Sequence, residues 1–479
     1  MYLDLETDGL HGPVYLACWI NAHGERKHSY VQTEGWNALV ADFDGELVAH
    51  NARYELECLL RESVITELDM KDLRIWDTML AEWVLHGEDI NLDDTAQRHK
   101  VGSKREYVSK MIKRGVPVDK IPFLLSHCQR DVDLLPKLRA KQEQMLQEKG
   151  MMHIAEQRML VCPVLVSLGT RPQLLDEERT AQMHHDTVAA IAELDAELGK
   201  YEVNLNSGPQ RAELIYDRLG FELPTIKGKP AMTAGGKRST TLDTLALLKP
   251  SNDEQREFLD AYFKRNKLSS LLTKYLNYFK ACNGEVWGDI VQGNTVTHRL
   301  ASTGRKVKVG KKMKGSQLQN IPRELKKLFT APPGWSVVEA DYGQLEFVAA
   351  ADLCNDEQAK YDIRHGDKSK GTDPHSNTAR VLTEHGQPTN RQDAKSSTFS
   401  PLYGGFGKSP AEKKYVDYFK KRYRSISSEQ ARWACDVVSN PSRELVTSYG
   451  MRFRFPNATM SSRGHVIGST QIYNYPVNT

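Results

Sequence analysis

Cysteine is sparse and unpaired in this sequence: Cys18, Cys58, Cys128, Cys162, Cys282, Cys354 and Cys435 are spread over 479 residues with no CxxC spacing. That disfavours a disulfide framework and a thiolate zinc module, and makes a reducing compartment the expectation. Long apolar runs are missing too. With a mean hydropathy of -0.55, no stretch is long enough to cross a bilayer, so no membrane partner is expected. The opening MYLDLETDGL sets acids where a secretory leader needs basic residues and then an apolar core, so a cytoplasmic location is expected. There is no internal repeat and no acidic or glutamine-rich tract.

What is present is length and a polarity of charge. At roughly 150 residues per domain, 479 residues imply about three domains. The net charge of +3 hides an acidic first part: residues 1–150 carry 19 Lys and Arg against 26 Asp and Glu, leaving 46 against 36 for the rest. Residues 261–328 hold 15 basic residues against Glu285, Asp289 and Glu324. That density suits a surface tracking a phosphate backbone, although a basic run is also how a solvated helical face reads.

Alternation and turn residues predict strands over Met1–Leu5, Val14–Ile20, Lys27–Gln32 and Glu46–His50. Helical periodicity follows over Tyr54–Arg61, Ile75–Leu85 and Pro122 to about Gln147, suggesting one α/β domain ending near Gly150. Beyond it, helix is expected from Met151 to about Ser207 with an extended break at Gly169–Leu175, and again over Asp253–Ala281. Pro224–Thr241 and the lysine-rich Arg305–Gly315 read as loops.

Two constellations carry chemistry. Asp4 and Glu6, two apart in a strand, project from one sheet face. Glu55 comes early in a helix, and His127 and Asp131 are four apart on another. Four carboxylates and one histidine suit Mg²⁺ or Mn²⁺, two ions of which can support phosphodiester hydrolysis. In the second, WSVVEADYGQLEF reads as an apolar strand from Trp335 to Ala340 delivering Asp341 at its end. Further on, Arg391, Lys395, Phe399 and Tyr403 recur every four residues, which places them within a face about 120° wide on a helix. Two cations followed by two aromatics match a triphosphate followed by sugar and base.

Taken in order, LDLET, HNARYELECLL, WDTMLAEWVL and HCQRDVDLLPKL resemble the DEDD 3′-to-5′ exonucleases, in the version that proofreads for family A DNA polymerases. DYGQLE resembles motif A of those polymerases, and RxxxKxxxFxxxYG resembles motif B, their fingers helix. Supporting matches are LVSLGTRPQLLD, VNLNSGPQRAELI, KRNKLSSLLTKYL, THRLASTG, LQNIP, DPHSNTAR, TSYGMRFRFP and NYPV. The resemblance implies an α/β and α+β multidomain chain, an RNase H-like exonuclease followed by a right-hand polymerase. Residues 1–150 would be the exonuclease, 151–290 palm entry and thumb, 291–350 palm, 351–470 fingers, and 471–479 the start of the C-terminal palm.

By position, the resemblance makes Asp4, Glu6, Glu55, His127 and Asp131 the exonuclease residues and Asp4, Glu6, Asp131 and Asp341 metal ligands, with two Mg²⁺ or Mn²⁺ ions per active site and dNTPs as substrates. Glu346 would exclude ribonucleotides. Arg391, Lys395 and His375 would hold the triphosphate, with Lys395 also protonating the leaving pyrophosphate. Phe399 would lie on the sugar and Tyr403 near the template base. Arg299, Gln344, Lys267 and Asn320 would contact DNA. Glu55 and His127 stand where the family has Asp and Tyr, and Pro401 is expected to kink the fingers helix before Tyr403.

Two-metal transfer needs a second palm carboxylate. In the family it comes from an HDE-type hairpin, and none occurs in these residues. The expected partners are therefore primer-template DNA, single-stranded 3′ ends and a second polypeptide carrying that hairpin, in the cytoplasm of an infected bacterium if the gene belongs to a phage. A truncated fragment, a stand-alone exonuclease and an inactive primer-template binder are the alternatives.

Overall fold

Alternation along Tyr2–Thr7 sends Leu3 and Leu5 to one side of a strand and Asp4 and Glu6 to the other, and the sheet is organised around that division. The computed structural model describes residues 1–8, 12–88, 90–103, 121–226, 228–462 and 466–478, without the side chains of 121–123 and 469. The chain divides into two compact units: Met1–Thr170 with Ile290–Ala301 and Glu339–Thr479, and Arg171–Asp289 with Ser302–Val338.

The first unit opens with a five-stranded sheet of order β3-β2-β1-β4-β5, formed by β1 (Tyr2–Thr7), β2 (Val14–Ile20), β3 (Arg26–Ser29), β4 (Glu46–Ala49) and β5 (Arg74–Asp77). The β1, β2 and β3 pairings are antiparallel, whereas β1–β4 and β4–β5 are parallel. Helices α1 (Ala52–Arg61), α2 (Thr78–His86), α3 (Leu92–Arg98), α4 (Ile121–Glu148) and α5 (Met152–Gly169) complete this part. Leu3 and Leu5 pack with Leu56 and Leu59 of α1, while Leu16 and Cys18 of β2 meet Leu124, Cys128 and Val132 of α4. Full burial of Leu56 contributes roughly 2 kcal/mol.

Two expectations fail here for local reasons. The third strand stops at Ser29 because a helical turn, Val31–Glu34, follows, with the Glu34 carboxylate accepting from the Tyr30 N–H at 2.9 Å. Ile75–Leu85 is not one helix. Ile75 and Asp77 pair with Leu47 and Ala49 in β5, and Asp77 then caps α2 by accepting from the N–H groups of Met79 and Leu80.

In the second unit, β6 (Gln173–Leu175) is followed by α6 (Glu177–Gly199), which ends eight residues before the expected Ser207, and by α7 (Asp253–Leu271). Asp176 and Asn252 cap these helices. Leu194, Leu198, Phe258 and Tyr262 pack between them, and Arg265 meets Asp195 at 2.8 Å. Strand β6 lies between β7 (Glu285–Val286) and the later Phe329–Thr330. Arg305–Gly315 is not a bare loop: β8 (Val307–Val309) and β9 (Lys312–Lys314) form a hairpin turning at Gly310, whose φ of 60° is one a glycine adopts freely. Phe329–Thr330 is β10.

Trp335–Ala340, expected as the strand delivering Asp341, forms no strand. Trp335, Val337 and Val338 are 79%, 63% and 85% exposed. Composition favours a strand here, but among the described residues no neighbour pairs with it, and β structure exists only through such pairing.

The first unit resumes with α8 (Leu345–Leu353), α9 (Pro374–Glu384), α10 (Arg391–Thr398), α11 (Pro410–Arg422), α12 (Arg424–Ser439), the hairpin β11 (Glu444–Val446) and β12 (Arg452–Arg454), and α13 (Ser469–Asn478). Phe347, Leu382, Leu402, Tyr415 and Phe419 form its core. TSYGMRFRFP joins it to the opening sheet: Phe453 and Phe455 share a core with Trp83, Leu146 and Met151, and the Tyr449 carbonyl meets His153 Nε2 at 2.9 Å. Among the described residues no helix is long and apolar enough to cross a membrane.

Candidate nuclease and nucleotide sites

Two clusters form in the first unit. In the first, β1 presents Asp4 and Glu6 toward α4, where His127 Nε2 lies 3.8 Å from Glu6 Oε1 and 3.7 Å from Asp131 Oδ2. Glu6, His127 and Asp131 are all buried. Helix α1 brings Glu55, which is 3% exposed. Its position is set by Asp77, whose carboxylate accepts from the N–H groups of Asn51 and Ala52 at the start of α1 as well as those opening α2. Burial pushes the Asp77 pKa up, against those four N–H groups.

Glu55 Oε2 is buried with no hydrogen-bond partner, and its pKa is driven well up by burial and then by the charge of Asp4. An oxygen-rich pocket whose carboxylates repel one another is stabilised by a divalent cation, so these residues fit Mg²⁺ or Mn²⁺. Cys128, which sequence reasoning missed, sits within this cluster: its Sγ groups with carboxylate oxygens of Asp4 and Glu6 and lies 3.3 Å from the Asp4 carbonyl oxygen. Burial raises its pKa well above the usual thiol value, so it remains a thiol, donating to that carbonyl and filling space. The available signal was its place three residues before Asp131, on the same helix face.

The second cluster surrounds a cavity of about 470 Å³ lined by Arg299, Tyr342, Gln344, Glu346, Phe399 and Asn478, among others. Glu346, in the first turn of α8, receives Arg299 Nη2 on one carboxylate oxygen and the Tyr403 hydroxyl on the other. Arg299 also donates to the Asn478 side chain. Gln344 takes the left-handed conformation before α8, with φ 58°. Phe399 stacks on buried Phe347 with centroids 5.0 Å apart and meets His375 edge-on at 5.4 Å.

The four-residue stripe is not one continuous helix face. Helix α10 carries Arg391 and Lys395 but ends at Thr398, and Ser400–Tyr403 is a tighter 3₁₀ turn closed by Gly404. Pro401, which lacks an N–H, suits the first positions of that turn, where no backbone donor is required. Arg391 is held by Asp373, the α9 cap, at 3.0 Å. Burial raises the Asp373 pKa, but Arg391 and the Ser376 hydroxyl outweigh it and hold the value at about 2. His375 accepts or donates at Thr398 Oγ1, 3.0 Å away, and burial followed by Arg391 lowers its pKa. It is therefore neutral at pH 7 and fixes α9 to α10 rather than adding a cation.

Lys395 is exposed, as is Asp341. Lys267 and Asn320 belong to the second unit, where Lys267 pairs with Glu324 at 3.2 Å and the Asn320 carbonyl accepts from the Tyr275 hydroxyl. Asp373 and Asn478 were missed as site neighbours, although an Asp before Pro374 is a readable helix cap.

Helix α10 runs into the turn that brings Tyr403 to Glu346, and the comparisons define the family. Residues 175–442, more than half of the chain, match the family model described as DNA polymerase family A, and the chain belongs to that family. It is 25% identical over 447 aligned residues to DNA polymerase I of Pseudomonas aeruginosa, covering 85% of this chain and 45% of that protein. With the thermostable DNA polymerase I of Thermus aquaticus it shares 31% identity over 258 residues, 50% of this chain and 28% of that one. It thus spans less than half the length of these relatives. The POL domain of Pol1 from M. smegmatis, solved in complex with DNA primer-template and dNTP, superimposes with a TM-score of 0.73 over 99% of this chain and 82% of that one. At 18% identity, that likeness shows the fold.

Proposed function

We propose that this chain is the N-terminal subunit of a phage-type replicative DNA polymerase. It performs template-directed DNA synthesis and 3′-to-5′ proofreading, with a second polypeptide supplying the palm hairpin that bears the second carboxylate. The observation that carries the synthetic reading is that Arg299 and Tyr403 both meet the carboxylate of Glu346, which lines one cavity together with Arg299 and Phe399. The proofreading reading is supported by the sheet order and by the gathering of Asp4, Glu6, Glu55, His127 and Asp131 around β1. Residues 1–150 are then the exonuclease, 151–290 palm entry and thumb, 291–350 palm, 351–470 fingers, and 471–479 the start of the second palm segment.

In this reading Asp4, Glu6, Glu55 and Asp131 hold divalent ions in the nuclease, and Asp341 supplies one ligand in the palm. The ions, when bound, neutralise the phosphate under attack. The chain's own groups do the rest. His127, against Glu6 and Asp131, orients a water and takes its proton. Arg391 exchanges Asp373 for the triphosphate, Lys395 protonates the leaving pyrophosphate, and Glu346 crowds a 2′-hydroxyl. Lys267, Arg299, Asn320 and Gln344 track primer-template DNA. The second polypeptide is supported by the exposed, unpaired apolar segment Trp335–Val338, which an added strand would cover.

The first test is digestion of single-stranded DNA with Mg²⁺. The chain shortens the 3′ end and Asp4→Ala stops it; digestion persisting in the purified variant overturns the nuclease assignment.

A further inference from the structure

Glu82, His86 and His99 form a cluster that neither reading uses. Glu82 and His86 are one turn apart in α2, and His99 is the residue that ends α3. One ligand atom from each lies within 4.8 Å of the other two. His99 Nε2 is 2.7 Å from Glu82 Oε2, while His86 Nε2 is 3.7 Å from Glu82 Oε1, too long for a hydrogen bond. His86 Nε2 is buried and has no hydrogen-bond partner, although the ring as a whole keeps 19% of its surface exposed. A buried imidazole nitrogen aimed at a carboxylate it does not reach is a polar group awaiting a ligand.

We propose that Glu82, His86 and His99 bind one borderline divalent transition ion, Zn²⁺ in chemical class, at a site separate from the Asp4 carboxylate cluster. Two imidazoles and one carboxylate are a donor set Zn²⁺ accepts with a fourth position left for water, whereas Mg²⁺ requires oxygen ligands throughout. Glu82 is fully buried and anchored: Arg98 Nη1 meets its Oε1 at 2.8 Å and Gln142 Nε2 its Oε2 at 3.3 Å. Arg98 thus takes one carboxylate oxygen and leaves the other facing His99, the arrangement in which an outer partner orients a ligand. The partly exposed edge of His86 gives an ion a way in, and the ion ties the end of α2 to the end of α3.

The test uses the full chain carrying Asp4→Ala, which disables the carboxylate cluster, stripped with chelator and then titrated with Co²⁺ and with Zn²⁺. The expected result is one ion per chain, a tetrahedral Co²⁺ absorption, and a rise in melting temperature. His99→Gln, which keeps a hydrogen bond to Glu82, weakens binding about 100-fold or more, and His86→Asn does the same. Circular dichroism of the metal-free proteins establishes that the variants fold, and if His99→Gln does not, His86→Asn at the more exposed ring carries the comparison. No uptake by the Asp4→Ala chain, or equal uptake by the folded histidine variants, overturns the proposal.

Discussion

The Asp4 cluster and the Asp341 segment are both built on a carboxylate next to apolar residues, yet they reach opposite states. Asp4 and Glu6 lie on a strand paired on both sides, and Glu6, Glu55, His127 and Asp131 are each less than 9% exposed. Asp341 follows a segment of the same apolar character that pairs with no strand among the described residues and leaves Val338 85% exposed. A strand-borne carboxylate is positioned by the strands beside it, not by its own sequence. The Asp4 cluster has strands on both sides of it, whereas among the described residues Asp341 has none beside it.

The sharpest break to that contrast is at the completed site. Asp131→Ala is expected to reduce single-stranded DNA digestion by about a thousandfold or more with little change in melting temperature, measured under single-turnover conditions. Residual digestion within tenfold of the parent would mean that the burial of this cluster serves packing. Next comes the scaffold itself. Asp77→Ala leaves four N–H groups at two helix starts without their acceptor and is expected to destabilise the first unit by roughly 3 kcal/mol, read from urea unfolding.

A smaller effect is expected at Asp373. Its folded pKa of about 2 lies below the unfolded value near 3.9, so the stabilisation it brings is complete above about pH 4 and is lost as pH falls through 2. Wild type should therefore lose more stability than Asp373→Asn between pH 5 and 2, the two curves converging at the acid end. Parallel curves would show that the Arg391 pair does not stabilise the fold. The smallest effect is at the open segment, where Val338→Lys is expected to change the isolated chain's stability by no more than about 0.5 kcal/mol, because its side chain contacts mainly water. A larger loss would show that the segment is already packed in solution.

The sequence disclosed what is periodic and local. Leu3 and Leu5 against Asp4 and Glu6 reveal both a strand and its chemical face, and Pro401 reveals the early end of α10. Arg74–Asp77 was hidden because a strand running directly into a capped helix leaves no turn residues between them. Val307 and Val309, alternating with lysines, were overshadowed by charge although they form a hairpin edge. Cys128 beside Asp4 and Asp373 beneath Arg391 depend on contacts across 124 and 18 residues of chain, so local pattern marks their helix positions but not their partners. Trp335–Ala340 shows the converse, a strand composition without a strand.

The contrast is tested most directly by incubating the isolated chain with a primer-template, all four dNTPs and Mg²⁺, and following primer length. The expected result is a primer that shortens from its 3′ end and is never extended. Template-dependent extension by this chain alone would contradict it, because the palm would then be complete without a further carboxylate hairpin.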